Sequence, residues 1–192
     1  MTELTIEPAR TALVVIDLQR GIVGAPTAPR PGVEVVQRVV EIAASLRKAG
    51  GTIVFVHVTP SADGKDGLKP ITDAIRPVRG PMPPDWAELV PELGVQPGDI
   101  VITKRQWGAF YGTELDLQLR RRGVDTIILC GIATSIGVES TARDAYERGY
   151  NQIFAEDAMA DRDPEGHRHA AQSVFPRIGR VRSTAEVIAA IK

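Results

Sequence analysis

The sequence predicts an α/β protein in which a doubly wound, mostly parallel sheet lies between two layers of helices. Strand-like and helix-like segments alternate along all 192 residues, and the strand-like segments are apolar throughout instead of alternating with polar residues. A strand that is apolar on both faces is typical of a parallel sheet covered by helices on both sides. With no repeat or linker in the chain, we expect one domain over residues 1–192, with a Rossmann-like sheet of about six strands.

Short runs of β-branched and apolar residues, bounded by charges or glycine, predict six strands. These strands are expected at 11–17, 52–58, 99–104, 125–131, 151–159 and near 179–183. Apolar residues at helical spacing, followed by glycine or by a turn, predict helices between them. The helices are expected over 32–51, 112–123, 133–150, 163–178 and 184–192.

Residues 59–98 interrupt this alternation with a long excursion that is rich in proline and glycine. We expect short helical pieces in it and a role as a lid or substrate-specificity element. Trp86 is expected to cover the pocket from the same or a neighbouring subunit. Arg76 and Arg79 either pair with surface acids or bind a substrate carboxylate.

The composition excludes several classes of partner. The net charge of −1 gives no electrostatic reason to bind nucleic acid or an anionic membrane. No apolar run approaches the ~20 residues of a membrane-spanning helix, and the first residues do not resemble an export signal. The single cysteine excludes an internal disulfide and fits a reducing compartment. We therefore expect a cytoplasmic protein that acts on a small molecule, without nucleic-acid or membrane partners.

Polar residues at three predicted strand ends mark a candidate site, because ligands of such sheets bind beyond the carboxyl ends of the strands. The first strand ends in Asp17, followed by Gln19, which is expected to contact the substrate. The third strand ends in Lys104, and the fourth runs into the loop 131–137. Each feature alone has an ordinary structural explanation as a turn, a surface lysine or a glycine bend. Together they place an acid, a base and a loop rich in backbone N–H groups at one edge of the sheet.

An Asp–Lys pair in a dry pocket can donate or accept a proton near neutral pH. The ammonium of Lys104 would lower the pKa of Asp17, whereas burial would raise it. The sequence alone leaves open which effect is larger.

Three stretches resemble the isochorismatase-like hydrolase family, also called cysteine hydrolases. They are "ALVVIDLQRGI", "TKRQWGAFYGTELDLQLRRRGVDTIILCGIATSIGVESTARDA" and "GYNQIFAEDAMA". The most specific pieces are "ID-x-Q", "K-x-x-x-x-A-F-x-G-T-x-L" and "G-I-A-T…V-E-S-T-A-R-D-A". The resemblance covers nearly the whole chain, in order and with matching spacing.

The resemblance implies roles for individual residues. Family members such as nicotinamidases use an Asp–Lys–Cys triad, in which Asp17 matches the aspartate and Lys104 the lysine. Gly137 stands where the family has its nucleophilic cysteine. The family's non-proline cis peptide would be Ile132–Ala133, and it would aim the N–H groups of Ala133 and Gly137 at a substrate oxygen. The family usually forms oligomers, so a homo-oligomer (dimer or tetramer) is expected.

A glycine at position 137 supplies no sulfur to attack an amide or nitrile carbon. Isochorismatases proper, which this family includes, also have glycine there and hydrolyse a vinyl ether with release of pyruvate. The resemblance then makes Asp17 the general acid, with Lys104 orienting it or helping to activate water, and no cofactor is expected. One difference is Thr59, in "V-T-P", where isochorismatases have the glutamine of "A-Q-P".

Three functions remain compatible with these residues. The first is a cofactor-free hydrolase of a vinyl ether that uses Asp17 as its acid. The second is a hydrolase of another bond, in which water replaces the thiol. The third is a binding protein that has kept the pocket without catalysis, and the retention of both Asp17 and Lys104 argues against it.

The remaining candidate residues are expected to be structural or peripheral. Cys130 lies in an apolar strand, which indicates a buried structural thiol. No metal site is expected, because the Asp-x-His motif of nicotinamidases is missing after the second strand and His57 lies inside that strand. His167 and His169 are expected to be solvated or capping.

Two aromatic residues, Trp107 and Phe110, follow Lys104 closely. They form either part of the core or an aromatic wall of the pocket.

Overall fold

The computed structural model describes residues 4–73 and 82–192 of the chain. Arg76 and Arg79, the two arginines considered for a substrate carboxylate, lie outside the described residues. No helix in the described ranges is both long enough and apolar enough to cross a membrane.

Six parallel strands form one sheet, which confirms the predicted fold class. The strands are β1 (Thr11–Ile16), β2 (Thr52–Val58), β3 (Ile100–Lys104), β4 (Thr126–Ile132), β5 (Asn151–Ala160) and β6 (Arg180–Arg182). Their order across the sheet is β3-β2-β1-β4-β5-β6, and every neighbouring pair is parallel.

Seven α-helical segments lie in the described residues, six of them between strands and the last after β6. They are α1 (Arg20–Val23), α2 (Gly32–Lys48), α3 (Leu115–Arg121), α4 (Glu139–Glu147), α5 (Pro164–His169), α6 (Phe175–Ile178) and α7 (Thr184–Ala190). Two wider, π-helical turns precede α4 and join α5 to α6, at Thr134–Val138 and Ala170–Val174. The helix predicted over 133–150 therefore begins as a π-turn, and the short α1 was not predicted.

The core consists of two apolar clusters, one on each face of the sheet. Along β1, Leu13 and Val15 belong to one cluster, whereas Val14 and Ile16 belong to the other. This division follows from the strand, in which successive side chains point to opposite faces. The apolar side of α2 covers the first face, and α3 and α4 cover the second. These layers explain why the central strands β1 and β4 are apolar on both faces, whereas the edge strand β3 alternates buried and exposed residues.

The described parts of the 59–98 excursion consist mainly of turns, with one 3₁₀ turn at Pro91–Leu93. Its second part runs beside the chain that follows β1, where the Gly21 N–H donates to the Trp86 carbonyl over 3.0 Å. A Cβ on Gly21 would lie 1.9 Å from the ring carbon Cδ1 of Trp86. Only glycine therefore lets the indole lie this close to the segment beyond Asp17.

Candidate active site

The site lies where the strand order reverses. The centrally placed β1 and β4 are neighbours in the sheet, although β2 and β3 extend on one side and β5 and β6 on the other. Connections that leave in opposite directions open a crevice at the carboxyl ends of such a strand pair. Asp17 directly follows β1, and the loop that begins at Ala133 directly follows β4.

Asp17 has an unusual backbone conformation, with a φ of 54°. The left-handed region costs a residue other than glycine roughly 1–2 kcal/mol. Two backbone hydrogen bonds hold this turn, because the Asp17 N–H donates to the Val56 carbonyl and the Gln19 N–H donates to the Asp17 carbonyl, each over 2.9 Å. The surrounding structure therefore enforces a strained position for the one acidic side chain at this strand end.

Lys104 forms a buried ion pair with Asp17. Its Nζ lies 2.8 Å from Oδ2 of Asp17, and it also donates to the carbonyl of Gln106 over 3.0 Å. The two side chains are almost fully buried, at 1% and 7% exposure. The other carboxyl oxygen, Oδ1 of Asp17, is buried and has no hydrogen-bond partner among residues 4–73 and 82–192. A buried polar atom without a protein partner is a natural contact for substrate or water.

Burial raises the pKa of Asp17 to about 6, although Lys104 and His57 both lower it. The effect of burial on the pKa of Asp17 is thus larger than the opposite effect of the Lys104 ammonium, a question that the sequence left open. A carboxyl group with this pKa exchanges its proton in the range in which enzymes operate.

The Cα of Gly137 is oriented so that a side chain at this position would point towards the Asp17 carboxyl group. A Cβ there would lie 3.3 Å from Oδ2 of Asp17 and 2.9 Å from Cγ2 of Ile16. Even a methyl group would therefore crowd the acid and require Ile16 to move. Glycine is thus the residue that fits beside the carboxyl without displacing a neighbour, and it supplies no side-chain nucleophile.

The loop that contains Gly137 begins with a cis peptide bond between Ile132 and Ala133. Inside the loop, the N–H groups of Ile136 and Val138 both donate to the Ala133 carbonyl, over 3.2 and 3.1 Å. The N–H of Ser135 donates to the Asp161 side chain over 2.6 Å. These bonds close the loop on itself and tie it to the chain beyond β5.

Comparison with known proteins shows the family of the chain. The Isochorismatase domain family matches residues 11–186 of the chain. The isochorismatase family protein YwoC of Bacillus subtilis (strain 168) is 53% identical over 195 residues, which cover all of both proteins. The chain belongs to the isochorismatase family. It is accordingly a hydrolase, and family membership leaves its substrate unspecified.

Two further relatives of this isochorismatase-family chain bear on its fold and chemistry. The structure of an isochorismatase family protein from Burkholderia thailandensis superposes with a TM-score of 0.92, at 46% identity and with 98% of each chain covered. The ureidoacrylate amidohydrolase RutB of Methylobacterium radiotolerans is 30% identical over 216 residues, which cover 95% of this chain and 80% of that protein.

Gln19, which was expected to contact the substrate, is fully buried and engaged within the protein. Its Oε1 accepts the Val58 N–H over 2.9 Å, and its Nε2 donates to the carbonyls of Val58 and Trp86 over 3.1 and 3.3 Å. The side chain thus joins the end of β2 to the excursion beside Asp17. Its substrate contact stays a prediction, and the observed bonds indicate that it also shapes the rim of the site.

The two aromatic residues after Lys104 have different environments. Phe110 is 3% exposed and contacts Tyr150 in the core, with the ring centroids 5.6 Å apart and the ring planes tilted by 34°. Trp107 is 62% exposed, and its carbonyl oxygen lies 3.6 Å from the side-chain position of Gly137. Phe110 is therefore part of the core. Trp107 remains the candidate of this pair for the wall of the pocket.

Cys130 is fully buried in β4, where its Sγ lies 3.9 Å from the carbonyl of Val14. Burial raises the pKa of this thiol well above its usual range. The thiolate, which is the nucleophilic form of cysteine, is thereby strongly disfavoured.

The histidines occupy three different environments. His57 bonds to the Ala87 carbonyl and to the Thr103 hydroxyl, over 2.9 and 2.7 Å. His169 is exposed, as expected, but His167 is only 5% exposed. The expectation of a solvated or capping role was therefore wrong for His167. Its ring nitrogens contact Thr134 and Glu156, which lie 33 and 11 residues earlier in the sequence. Within the described ranges, no group of three or more His, Cys, Asp or Glu residues is arranged to hold a metal ion.

Proposed function

We propose that this isochorismatase-family hydrolase cleaves the vinyl-ether bond of a small molecule of the isochorismate type, with Asp17 as general acid. The observation that carries the proposal is the buried carboxyl of Asp17, whose pKa is about 6 and whose Oδ1 has no protein partner in the described ranges. It lies beside Gly137, where the chain offers no nucleophile. An acid without a neighbouring nucleophile suits a reaction that begins with protonation.

The reaction then proceeds in three steps that balance. Asp17 transfers its proton to the terminal carbon of the enol ether, which leaves a positive charge shared by the ether carbon and oxygen. Water adds to that carbon, and the Asp17 carboxylate takes up the proton that the water loses. The hemiketal that results collapses to a ketone and an alcohol, which for isochorismate means release of pyruvate.

The other residues support these steps without forming a covalent intermediate. The Lys104 ammonium, 2.8 Å from Oδ2, stabilises the Asp17 carboxylate after the proton has left. The N–H groups of Ala133 and Gly137 are proposed to hold an oxygen of the substrate or of the attacking water. No step requires a cofactor.

A second candidate is hydrolysis of an amide or ester bond, with water as the nucleophile and Asp17 as general base. The observation that favours it is the similarity to the ureidoacrylate amidohydrolase RutB. The same carboxyl would then have to be ionised before reaction, so the two candidates differ in the protonation state of the free enzyme.

The test measures pyruvate release from isochorismate by the wild-type protein and by two variants. Asp17→Asn keeps the shape and one hydrogen-bonding oxygen but holds no transferable proton, so we expect kcat to fall by about 10²–10⁴-fold. Lys104→Ala leaves the buried carboxyl without its partner and should also be severely impaired. His169→Ala, an exposed change, is the matched control and should retain full activity.

Full activity in Asp17→Asn would refute the acid role. Wild-type protein that releases no pyruvate but hydrolyses small amides or esters would establish the second candidate instead.

A further inference from the structure

We infer that His167 is a positioning residue for the active-site loop 131–137, which it holds through the side chain of Thr134. The inference rests on the proposed function of that loop, whose Ala133 and Gly137 N–H groups are to bind an oxygen of the substrate or of water. His167 does not contact the proposed reacting groups, and it would act only through the loop.

The contact is a series of hydrogen bonds that is buried at Thr134 and His167 and partly exposed at Glu156. Nδ1 of His167 lies 2.9 Å from the Thr134 hydroxyl, and Nε2 lies 2.7 Å from Oε1 of Glu156. Thr134 is fully buried and directly follows Ala133 in the loop. Arg30 extends the series, because its guanidinium donates to the Glu156 carbonyl over 3.0 Å and lies 3.7 Å from the Glu156 carboxylate.

These hydrogen bonds determine which nitrogen of His167 carries a hydrogen and which partner donates in each contact. The hydrogen bond from His167, together with Arg30, lowers the pKa of Glu156, which therefore stays an ionised acceptor. A carboxylate only accepts, so Nε2 of His167 must carry a hydrogen. In the neutral ring, Nδ1 is then the acceptor, and the Thr134 hydroxyl donates to it. Glu156 thus fixes the tautomer of His167, and the tautomer fixes the orientation of the threonine side chain.

A second contact holds the next residue of the loop. The carboxylate of Asp161, which is 1% exposed, accepts both the N–H and the hydroxyl of Ser135 over 2.6 and 2.8 Å. Helix α5 also packs directly on this point, since a Cβ on Gly166 would lie 2.9 Å from Oγ of Ser135. Thr134 and Ser135 are therefore held by buried partners that come from one short segment, 161–167.

Such support matters because donors stabilise developing charge only if they are already in place before the reaction. A misplacement of about 1 Å caused by a remote change can cost on the order of 10²-fold in rate. Loosening Thr134 should therefore reduce kcat more than it weakens substrate binding.

The kinetic test uses Thr134→Val, which has almost the same shape but no hydroxyl, with Thr134→Ser as the conservative rescue. For pyruvate release from isochorismate, we expect Thr134→Val to lower kcat at least about 10-fold while KM changes less than about 3-fold. Thr134→Ser should recover most of that loss, and His169→Ala, two residues from His167 and exposed, should behave as wild type. Equal activity of the Val variant and the wild type would overturn the inference.

The tautomer of His167 can be measured with neither a substrate nor a variant. In wild-type protein labelled with ¹⁵N-histidine, the neutral ring of His167 should be the Nε2–H tautomer, with an unprotonated Nδ1. A neutral ring that carries its proton on Nδ1 instead contradicts the inference. If isochorismate is not a substrate but this tautomer is present and the amides of 133–138 exchange at least about 10-fold faster in Thr134→Val than in Thr134→Ser, the proposed function fails and the positioning role stands.

Discussion

At the scale of single residues, the proposed site centres on one carboxyl group, that of Asp17, whose backbone conformation and burial are both unfavourable. Asp17 has a left-handed backbone conformation and a buried side chain. Both are costly, and both place a group with a raised pKa at the end of β1. The acid and Lys104 were predictable from the sequence, because polar residues at the ends of apolar strands are conspicuous. The backbone strain and the direction of the pKa shift depend on packing that no local pattern reveals.

The pH dependence of turnover tests the protonation state of Asp17. Its pKa of about 6 means that about one tenth of the molecules have the protonated form at pH 7. If Asp17 is the acid, kcat/KM for isochorismate should be high below pH 6 and fall about tenfold per pH unit above it. Activity that rises through pH 6 would instead indicate a general base and favour amide or ester hydrolysis.

Protein stability should respond to the same group. Because folding raises the Asp17 pKa from 3.8 to about 6, the folded state holds a proton in this range that the unfolded state has released. The contribution of Asp17 to the free energy of unfolding therefore falls as the pH rises from about 4 to about 6. Denaturant titrations at several pH values should show this fall in the free energy of unfolding for the wild type but not for Asp17→Asn.

Gly137→Cys tests whether the missing thiol determines the type of reaction. The new Cβ would crowd Ile16 and the Asp17 carboxyl, so vinyl-ether turnover should not improve. Because Asp17 and Lys104 would complete the family's triad, we expect a trace of amidase activity on small amides such as nicotinamide. Gly137→Ala, which adds the Cβ without the thiol, is the control and should show none. A strong gain in vinyl-ether turnover with Cys would instead support a mechanism assisted by a nucleophile.

At the scale of elements, the central strands β1 and β4 were predictable because they are buried on both faces and hence almost wholly apolar. The edge strands are less regular, since β3 alternates buried and exposed residues and β6 consists of Arg–Val–Arg. The four residues of α1 are too few to show a helical period, and the π-turn Thr134–Val138 has the same apolar spacing as the helix it precedes. The strand order and the partners of His167 depend on contacts between distant segments. The pairing of His167 with Thr134, 33 residues earlier, gave no signal in a single sequence.

The buried position of Cys130 within β4 leads to a prediction about reactivity. Cys130→Ala should leave hydrolysis largely intact, because the thiol is fully buried and its pKa is raised. Removing one buried heavy atom should cost about 1 kcal/mol in the free energy of unfolding. Iodoacetamide should label the native wild-type protein slowly, and mass spectrometry can follow the reaction. Rapid labelling with loss of activity would mean that Cys130 is a reactive residue.

At the scale of the whole molecule, the sheet is unevenly covered. The edge strand β3 exposes Val101 at 45%, and the chain that follows it exposes Trp107 at 62% and Tyr111 at 75%. These three exposed side chains fall within an eleven-residue stretch that begins on β3 and runs past Lys104. Exposed apolar side chains of this kind are common where a protein meets a partner.

The last prediction is that this surface is covered by a second copy of the chain. Stable homodimers bury about 800 Å² or more per subunit, with aromatic residues enriched at the centre, which suits Trp107 and Tyr111. Light scattering at micromolar concentration should give two or four times the chain mass of 20.7 kDa. Trp107→Glu should shift the mass towards the monomer, whereas Tyr146→Glu, which changes an aromatic residue of similar exposure on α4, should not. A wild-type mass of 20.7 kDa would refute the oligomer, and an unchanged oligomer in Trp107→Glu would move the interface to another face of the molecule.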